Sequence, residues 1–385
     1  MSASATGSPT DQAVGAVNRS DLDRYLDAAS GLPMAPATQQ ALNAAWGLGW
    51  ADASRRYPSA RQSRRLLDSA RNSVAEYLGI TSAGIFFLPD FAAAFELAIS
   101  GYSDRHIAVN AVEDAAILQA IELQHSSTSS KLSVSSDGHI DVNAAAQLAH
   151  REPTAFVVQD VNLEIGCRQP LKSLAQHLDA ESSVIVDARA TLGRDRVSDD
   201  WDLLISDPKM WGGPPGSALL AIRAPDQFPA ARTSVGGFGG LELASPPVPL
   251  IAAAALALEA ATPQAGDAQA ISTFLRSEII NQIQDCEIVG HPESSFITMF
   301  SFLYVAADEL IDELAQLGWS CASGASCTSD TQRPHHVLTE VGASSHGSLR
   351  VSVPPQLTEN QAAHFVSDLT RVVAKLRLEA GAPNP

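Results

Sequence analysis

The spacing of apolar positions changes character along this chain, and each change predicts an element. In "ARQSRRLLDSARNSVAEYLGI" (60–80) apolar residues return every three or four positions with arginines on the other face, which predicts an amphipathic helix. "QALNAAWGLGW" (40–50) shows the same period. "IFFLP" (85–89) predicts a short buried strand that leads straight into a helix, "DFAAAFELAISGY". "AFVVQDV" (155–161) and "SVIVDAR" (183–189) are unbroken runs of Val, Ile and Phe, as parallel strands covered on both faces are. Between them "SLAQHLDAES" is helical, so a βαβ crossover joins the pair. "DLLISD" (202–207) and "GSALLAIR" (216–223) add two more strands.

Past Pro263 the order changes. A long helix, "DAQAISTFLRSEIINQIQ", precedes a strand, "SFITMFSFL". The helix "ADELIDELAQLGW", the strand "GSLRVSVP" (347–354) and a last helix opening at Thr358 complete the chain. The expectation is an α/β protein: a polar tail over 1–20, then a large domain over 21–260 with a mixed, mostly parallel sheet. A smaller α/β domain follows over 261–385. "ASPPVPL" (244–250) reads as a rigid connector.

Composition narrows the function classes. With 45% hydrophobic and 18% charged residues the chain is globular. Its formal charge of −18 repels phosphate backbones and argues against direct nucleic-acid binding, while small anionic substrates stay open. No apolar run has the length of a membrane span, and the first 20 residues lack the basic start and apolar centre of a signal peptide. A cytoplasmic location is therefore expected. Cys167, Cys286, Cys321 and Cys327 are too few and scattered for a disulfide framework and show no zinc spacing.

Candidate chemistry lies at strand ends. Asp187 closes a strand in "VIVDAR", where open α/β sheets bind ligands, although a strand-terminal Asp is also a common helix cap. Asn162 follows the preceding strand and Lys209, in "SDPKMWGGPPG", the following one. Such a trio suits pyridoxal phosphate (PLP), for which a lysine forms an imine and a carboxylate keeps the pyridine nitrogen protonated.

These stretches resemble cysteine desulfurases of the class V aminotransferase family, fold type I PLP enzymes. "YLDAASGLPMAP" (25–36) is similar to the family's opening Tyr-Leu-Asp-Asn-Ala-Ala-Thr-Thr-Pro, and "VNLEIG" (161–166) to its Asn-Asn-Glu-Ile-Gly. "VDARATLG" (186–193) resembles the strand with the pyridine-binding Asp, and "SDPKMWGGPPGSALLAIR" its Ser-x-His-Lys turn. "SGASCTSDTQRPHHVL" (323–338) resembles the loop with the sulfur-accepting cysteine, and "GSLRVSV" the strand whose arginine grips the substrate carboxylate.

The resemblance implies that Lys209 carries the cofactor and moves protons, that Asp187 pairs with the pyridine nitrogen and Asn162 with the phenolic oxygen. Asn162 would also meet the substrate, whose carboxylate Arg350 would clamp. Ser206 would bind the phosphate together with the turn at Phe91 and Ala92. Ser245 matches a Thr that reaches the neighbouring subunit's cofactor, which implies a homodimer. Cys327 would take sulfur from L-cysteine as a persulfide, leave L-alanine, and pass the sulfur to an acceptor protein.

The departures cluster at the cofactor. Asp114 stands where the family has a stacking histidine, Phe91 and Ala92 replace an Ala–Thr pair beside Asp90, Ala190 replaces a glutamine, and Pro208 a histidine. Besides a desulfurase using substitutes such as Arg189 or Trp211, two readings stay open. One is a catalytically silent scaffold or regulator. The other is a related PLP lyase acting on another sulfur or selenium amino acid.

Overall fold

The computed structural model describes residues 22–125, 128–228, 236–237, 242–243, 246–261, 265–323, 335–344 and 347–382. Two helices come first, α1 (Pro36–Leu48) and α2 (Pro58–Leu78), each opened by a proline whose fixed φ and missing N–H suit a first turn. Leu67, Ala70 and Val74 on one face of α2 are buried, as its period predicts. Strands and helices then alternate. They are β1 (Ile85–Leu88), α3 (Phe91–Ser100), β2 (His106–Asn110), α4 (Ala115–His125), β3 (Ser129–Leu132), α5 (Val142–Ala149) and β4 (Thr154–Gln159). The series continues with α6 (Leu171–Gln176), β5 (Ser183–Asp187), β6 (Leu203–Ser206) and β7 (Ala218–Ile222).

These strands form one seven-stranded sheet in the order β1-β7-β6-β5-β4-β2-β3. Strands β2 to β6 run parallel, and β7 is antiparallel to both neighbours. The sheet is therefore mixed and mostly parallel, as the apolar runs predict. Side chains alternate between two cores: Phe156 and Val158 face Leu67, Val74 and Trp211, whereas Ala155 and Val157 face Phe95, Ile99 and Ile107.

A two-residue ribbon, β8 (Gly236–Gly237) with β9 (Glu242–Leu243), precedes α7 (Val248–Ala260). Helix α7 starts inside "ASPPVPL", so that stretch is part connector and part first turn. Then come α8 (Ala265–Gln282), β10 (Cys286–Ile288), β11 (Ile297–Phe302), α9 (Ala307–Gln316), α10 (His336–Glu340), β12 (Ser348–Ser352) and α11 (Glu359–Glu379). Strands β10, β11 and β12 form an antiparallel sheet with its own core of Ile279, Phe300, Phe365 and Leu369. Residues 25–27 join this second core: Tyr25 and Asp27 bridge to Ser320 and Ser352, and Leu26 is wholly buried there.

The two units meet at the turn after β4. Gly166 has φ 71°, and a Cβ on it would lie 2.5 Å from the Ile297 carbonyl oxygen, so only glycine fits. Among the described residues no helix is long and apolar enough to cross a membrane, and no group of His, Cys, Asp or Glu is placed to hold a metal.

Candidate active site

The ends of the parallel strands β4, β5 and β6 lie side by side, so Asn162, Asp187 and Lys209 follow three neighbouring strands, as expected from their spacing. Asp187 is buried, with 4% of its surface exposed. Both of its carboxylate oxygens are engaged by Arg189, through Nε (3.1 and 3.0 Å) and Nη2 (2.7 Å). Nη2 also reaches Asp114 Oδ2 at 3.0 Å. The guanidinium lies over the Phe91 ring, 3.8 Å from its centre. Burial works against Arg189's charge, but Asp187 and then Asp114 outweigh it and raise its pKa. Burial likewise works against the Asp114 carboxylate, and Arg189 leads the groups that bring its pKa below the usual value. Behind them Glu113 is fully buried, and burial followed by the charge of Asp187 lifts its pKa far above the carboxylate range.

Lys209 sits in a 3-10 turn, Pro208–Trp211, which is rigid for local reasons. The Asp207 carboxylate caps the Lys209 amide at 3.0 Å, and Trp211 Nε1 donates to the Ala254 carbonyl at 3.0 Å. With the turn pinned at both ends, the lysine side chain stays 46% exposed, its Nζ 4.0 Å from Asp207. Gly31 packs against its stem.

Several expected ligands are placed differently. Asn162 has no spare hydrogen bond for a phenolic oxygen or a substrate. Its amide nitrogen donates to the Val112 carbonyl (2.8 Å) and Gln159 Oε1 (2.7 Å), and its oxygen accepts from the amides of Glu164 and Ile165. As placed here it builds the turn. Ser206 is fully buried, its hydroxyl donating to the Ala188 carbonyl at 3.3 Å. Phe91 and Ala92 open α3, where Asp90 already caps the Ala93 amide at 2.8 Å. The amides of Phe91 and Ala92 have no intrahelical partner. Cys327 and Ser245 lie outside the described residues.

Arg350, on β12, is held on both sides. Nη1 donates to Glu164 Oε1 (2.8 Å) and the Leu163 carbonyl (3.2 Å). Nη2 donates to Asp27 Oδ1 and Ser30 Oγ, both at 2.9 Å. Nε has no partner, and neither has Glu164 Oε2. Burial lifts the Glu164 pKa to about 7, against the pull of Arg350. Sequence reasoning passed over Asp27, Glu113 and Glu164 as site residues, although Asp27 and Glu164 stand inside quoted motifs.

The described chain on each side of 324–334 ends here. Ala322 exchanges two backbone hydrogen bonds with Arg350, and His336 Nε2 donates to the Glu113 carbonyl at 2.6 Å. Beside it, burial lowers the His335 pKa to about 4, and His335 Nδ1 is unpaired. A cavity of about 670 Å³ in the second unit, lined by Cys286, Phe302 and Tyr304, shares no residue with this site.

The family model "Aminotransferase class-V" matches residues 24–365, which takes in every residue of this cluster. The chain belongs to the class-V aminotransferase family. That family is PLP-dependent. Within it the chain is 24% identical over 341 residues to "Cysteine desulfurase IscS 1" of Archaeoglobus fulgidus, covering 82% of this chain and 88% of the relative. It is 29% identical over 348 residues to "Cysteine desulfurase IscS" of Serratia proteamaculans, covering 84% and 85%. A solved NifS-like protein superposes with a TM-score of 0.83 at 20% identity, over 91% of this chain and 99% of that one, and shows the same fold.

Whether the family's cofactor suits these residues is tested by what Asp187 holds. A protonated pyridine needs a buried carboxylate for its N–H and a flat partner for its face. Asp187 and Phe91 already offer both to the planar guanidinium of Arg189, so the donor set fits the ring, with Arg189 as its stand-in.

Proposed function

We propose that the protein is a cysteine desulfurase, taking sulfur from L-cysteine and leaving L-alanine. The observation that carries this reading is the tie on both sides of the Cys327 stretch: Ala322 is paired with Arg350, and His336 with the backbone beside Asp114. The described residues on either side of that stretch therefore adjoin a site containing a lysine, a buried aspartate and an arginine, which supports a role for Cys327 there.

Lys209, Asp187 and the α3 end would hold PLP. When bound, PLP supplies a carbonyl for the amino group of cysteine and an electron sink for cleavage beside it. Arg350 would orient the substrate carboxylate, which must compete with Glu164 and Asp27 for its N–H groups. Lys209, exposed on a rigid turn, would move protons at its Nζ. The Cys327 thiolate would attack the substrate sulfur. As the S–S bond forms, the Cβ–S bond breaks, and the carbon keeps the electron pair and takes up a proton. The products are alanine and a Cys327 persulfide, whose outer sulfur passes to an acceptor protein.

The exposed apolar surface of Trp46, Trp50 and Tyr57 supports a homodimer, in which Ser245 would reach the partner's site. Cys167, Cys286 and Cys321 are free, which fits a reducing compartment such as the cytoplasm. The test is to incubate the protein with PLP, L-cysteine and a thiol reductant and to quantify alanine and sulfide. Equal amounts of both, lost in Cys327→Ser, are expected. Absence of alanine at saturating PLP rejects the reading.

A further inference from the structure

We propose that Arg189 is a built-in competitor for the cofactor site, a guanidinium latch that the cofactor must displace from Asp187 before it can bind. The inference rests on the reading that this site takes PLP. It goes beyond that reading because it assigns a role to a residue of this chain that the chemistry does not need.

The geometry carries it. Asp187 is buried, and the arginine approaches side-on, with Nε and Nη2 covering both carboxylate oxygens; the Arg189 amide also donates to Oδ1 at 2.9 Å. No edge of the carboxylate is left for a second planar cation. Two further contacts fix the latch. Asp114 accepts from Nη2 and is itself held by the Ala116 amide at 2.9 Å, and Phe91 supplies the stacking face. Arg189 lies two positions after Asp187, so the pair forms at high effective concentration, with little entropy to lose. A pyridinium and this guanidinium both need the Asp187 carboxylate, and both are cationic. Their binding is mutually exclusive, and the apparent cofactor affinity falls by the fraction of molecules with the latch open.

The test reads binding and not turnover. PLP is titrated into the wild type, Arg189→Gln and the double variant Arg189→Ala with Asp114→Asn, which avoids leaving two unpaired acids together. The Lys209-dependent visible band gives an apparent Kd, and the PLP-induced rise in Tm gives a second, independent measure. The expected result is affinity at least about tenfold tighter in both variants, with a larger PLP-induced rise in Tm. In the double variant, millimolar ethylguanidinium should raise Tm and compete with PLP, and it should do neither in the wild type. Equal or weaker PLP affinity in both variants overturns the latch, and weaker affinity would make Arg189 an anchor instead. A band in the wild type that is unchanged in the variants overturns the latch alone. A band in none of the three proteins overturns the cofactor reading and the latch with it.

Discussion

Arg350 joins three distant stretches of chain, and removing its charge should cost more than any surface ion pair. Its side chain is 8% exposed, and its carboxylate partners Asp27 and Glu164 are 22% and 24% exposed. Four N–H groups are used: two on carboxylates, one on the Leu163 carbonyl and one on Ser30. Arg350→Met keeps the stem but strands two acids. Breaking a buried ion pair from one side costs about 3–5 kcal/mol, and the partial exposure of both acids puts this case near about 3. Against a total stability of about 5–15 kcal/mol the variant stays folded but is measurably weakened. Urea unfolding at pH 8, above the value of about 7 that Glu164 has beside Arg350, reads the loss from a wild type with both carboxylates charged. In Arg350→Met the lowering pull of the guanidinium is gone, so proton uptake by Glu164 relieves part of the loss. Pairing Arg350→Met with Glu164→Gln closes a double-mutant cycle. The two changes should fall short of additive by about 1–3 kcal/mol, since the neutral amide of Glu164→Gln leaves no charge behind. Additivity within about 0.5 kcal/mol would show that the Glu164 contact carries nothing, and the reasoning would fail.

Other consequences follow from the same contacts. Glu164 is a carboxyl whose folded pKa, about 7, is raised above its ordinary 4.5. Its contribution to stability is therefore full below pH 4.5 and is lost as the pH rises to 7, and Glu164→Gln should flatten that part of a stability–pH profile. Asp90→Ala should lower stability by about 1 kcal/mol in urea unfolding, because it removes the cap on the Ala93 amide. With PLP present, Lys209→Ala should lose both the visible band and sulfide release. Cys327→Ala should lose sulfide release while keeping the band.

The sheet was legible because its central strands are apolar on both faces, a pattern helices seldom show at such short length. The places of Asp187 and Lys209 at neighbouring strand ends were legible because a strand end fixes where the next residues emerge. Asn162 was not. The same residue type serves as a ligand or as the start of a turn, and only the placed side chain of Gln159, at the end of β4, and the Val112 carbonyl, just past β2, show that its amide is spent. The Ser206 contact was hidden for a related reason: its register beside β5 turns its hydroxyl onto the Ala188 carbonyl. Glu164 was hidden because its partner Arg350 lies 186 positions away.

Arg189, Asp114, Asp90 and Phe91 make more sense together than one at a time. Alone, an arginine beside Asp187 would present a cation with no second acceptor and no surface to lie on. Asp114 supplies the acceptor and Phe91 the surface. Alone, Asp114 in place of a ring would put a third acid beside Glu113 and Asp187, and Arg189 offsets that charge. Asp90 caps an amide at the same helix end that Phe91 opens. Two departures from the family pattern, Asp114 and Phe91, answer needs created by Arg189, giving its charge a second acceptor and its face a surface. That is the physical basis for a cofactor pocket that must be unlatched before it is filled, and it explains why two residues that break the motif, Asp114 and Phe91, both touch Arg189.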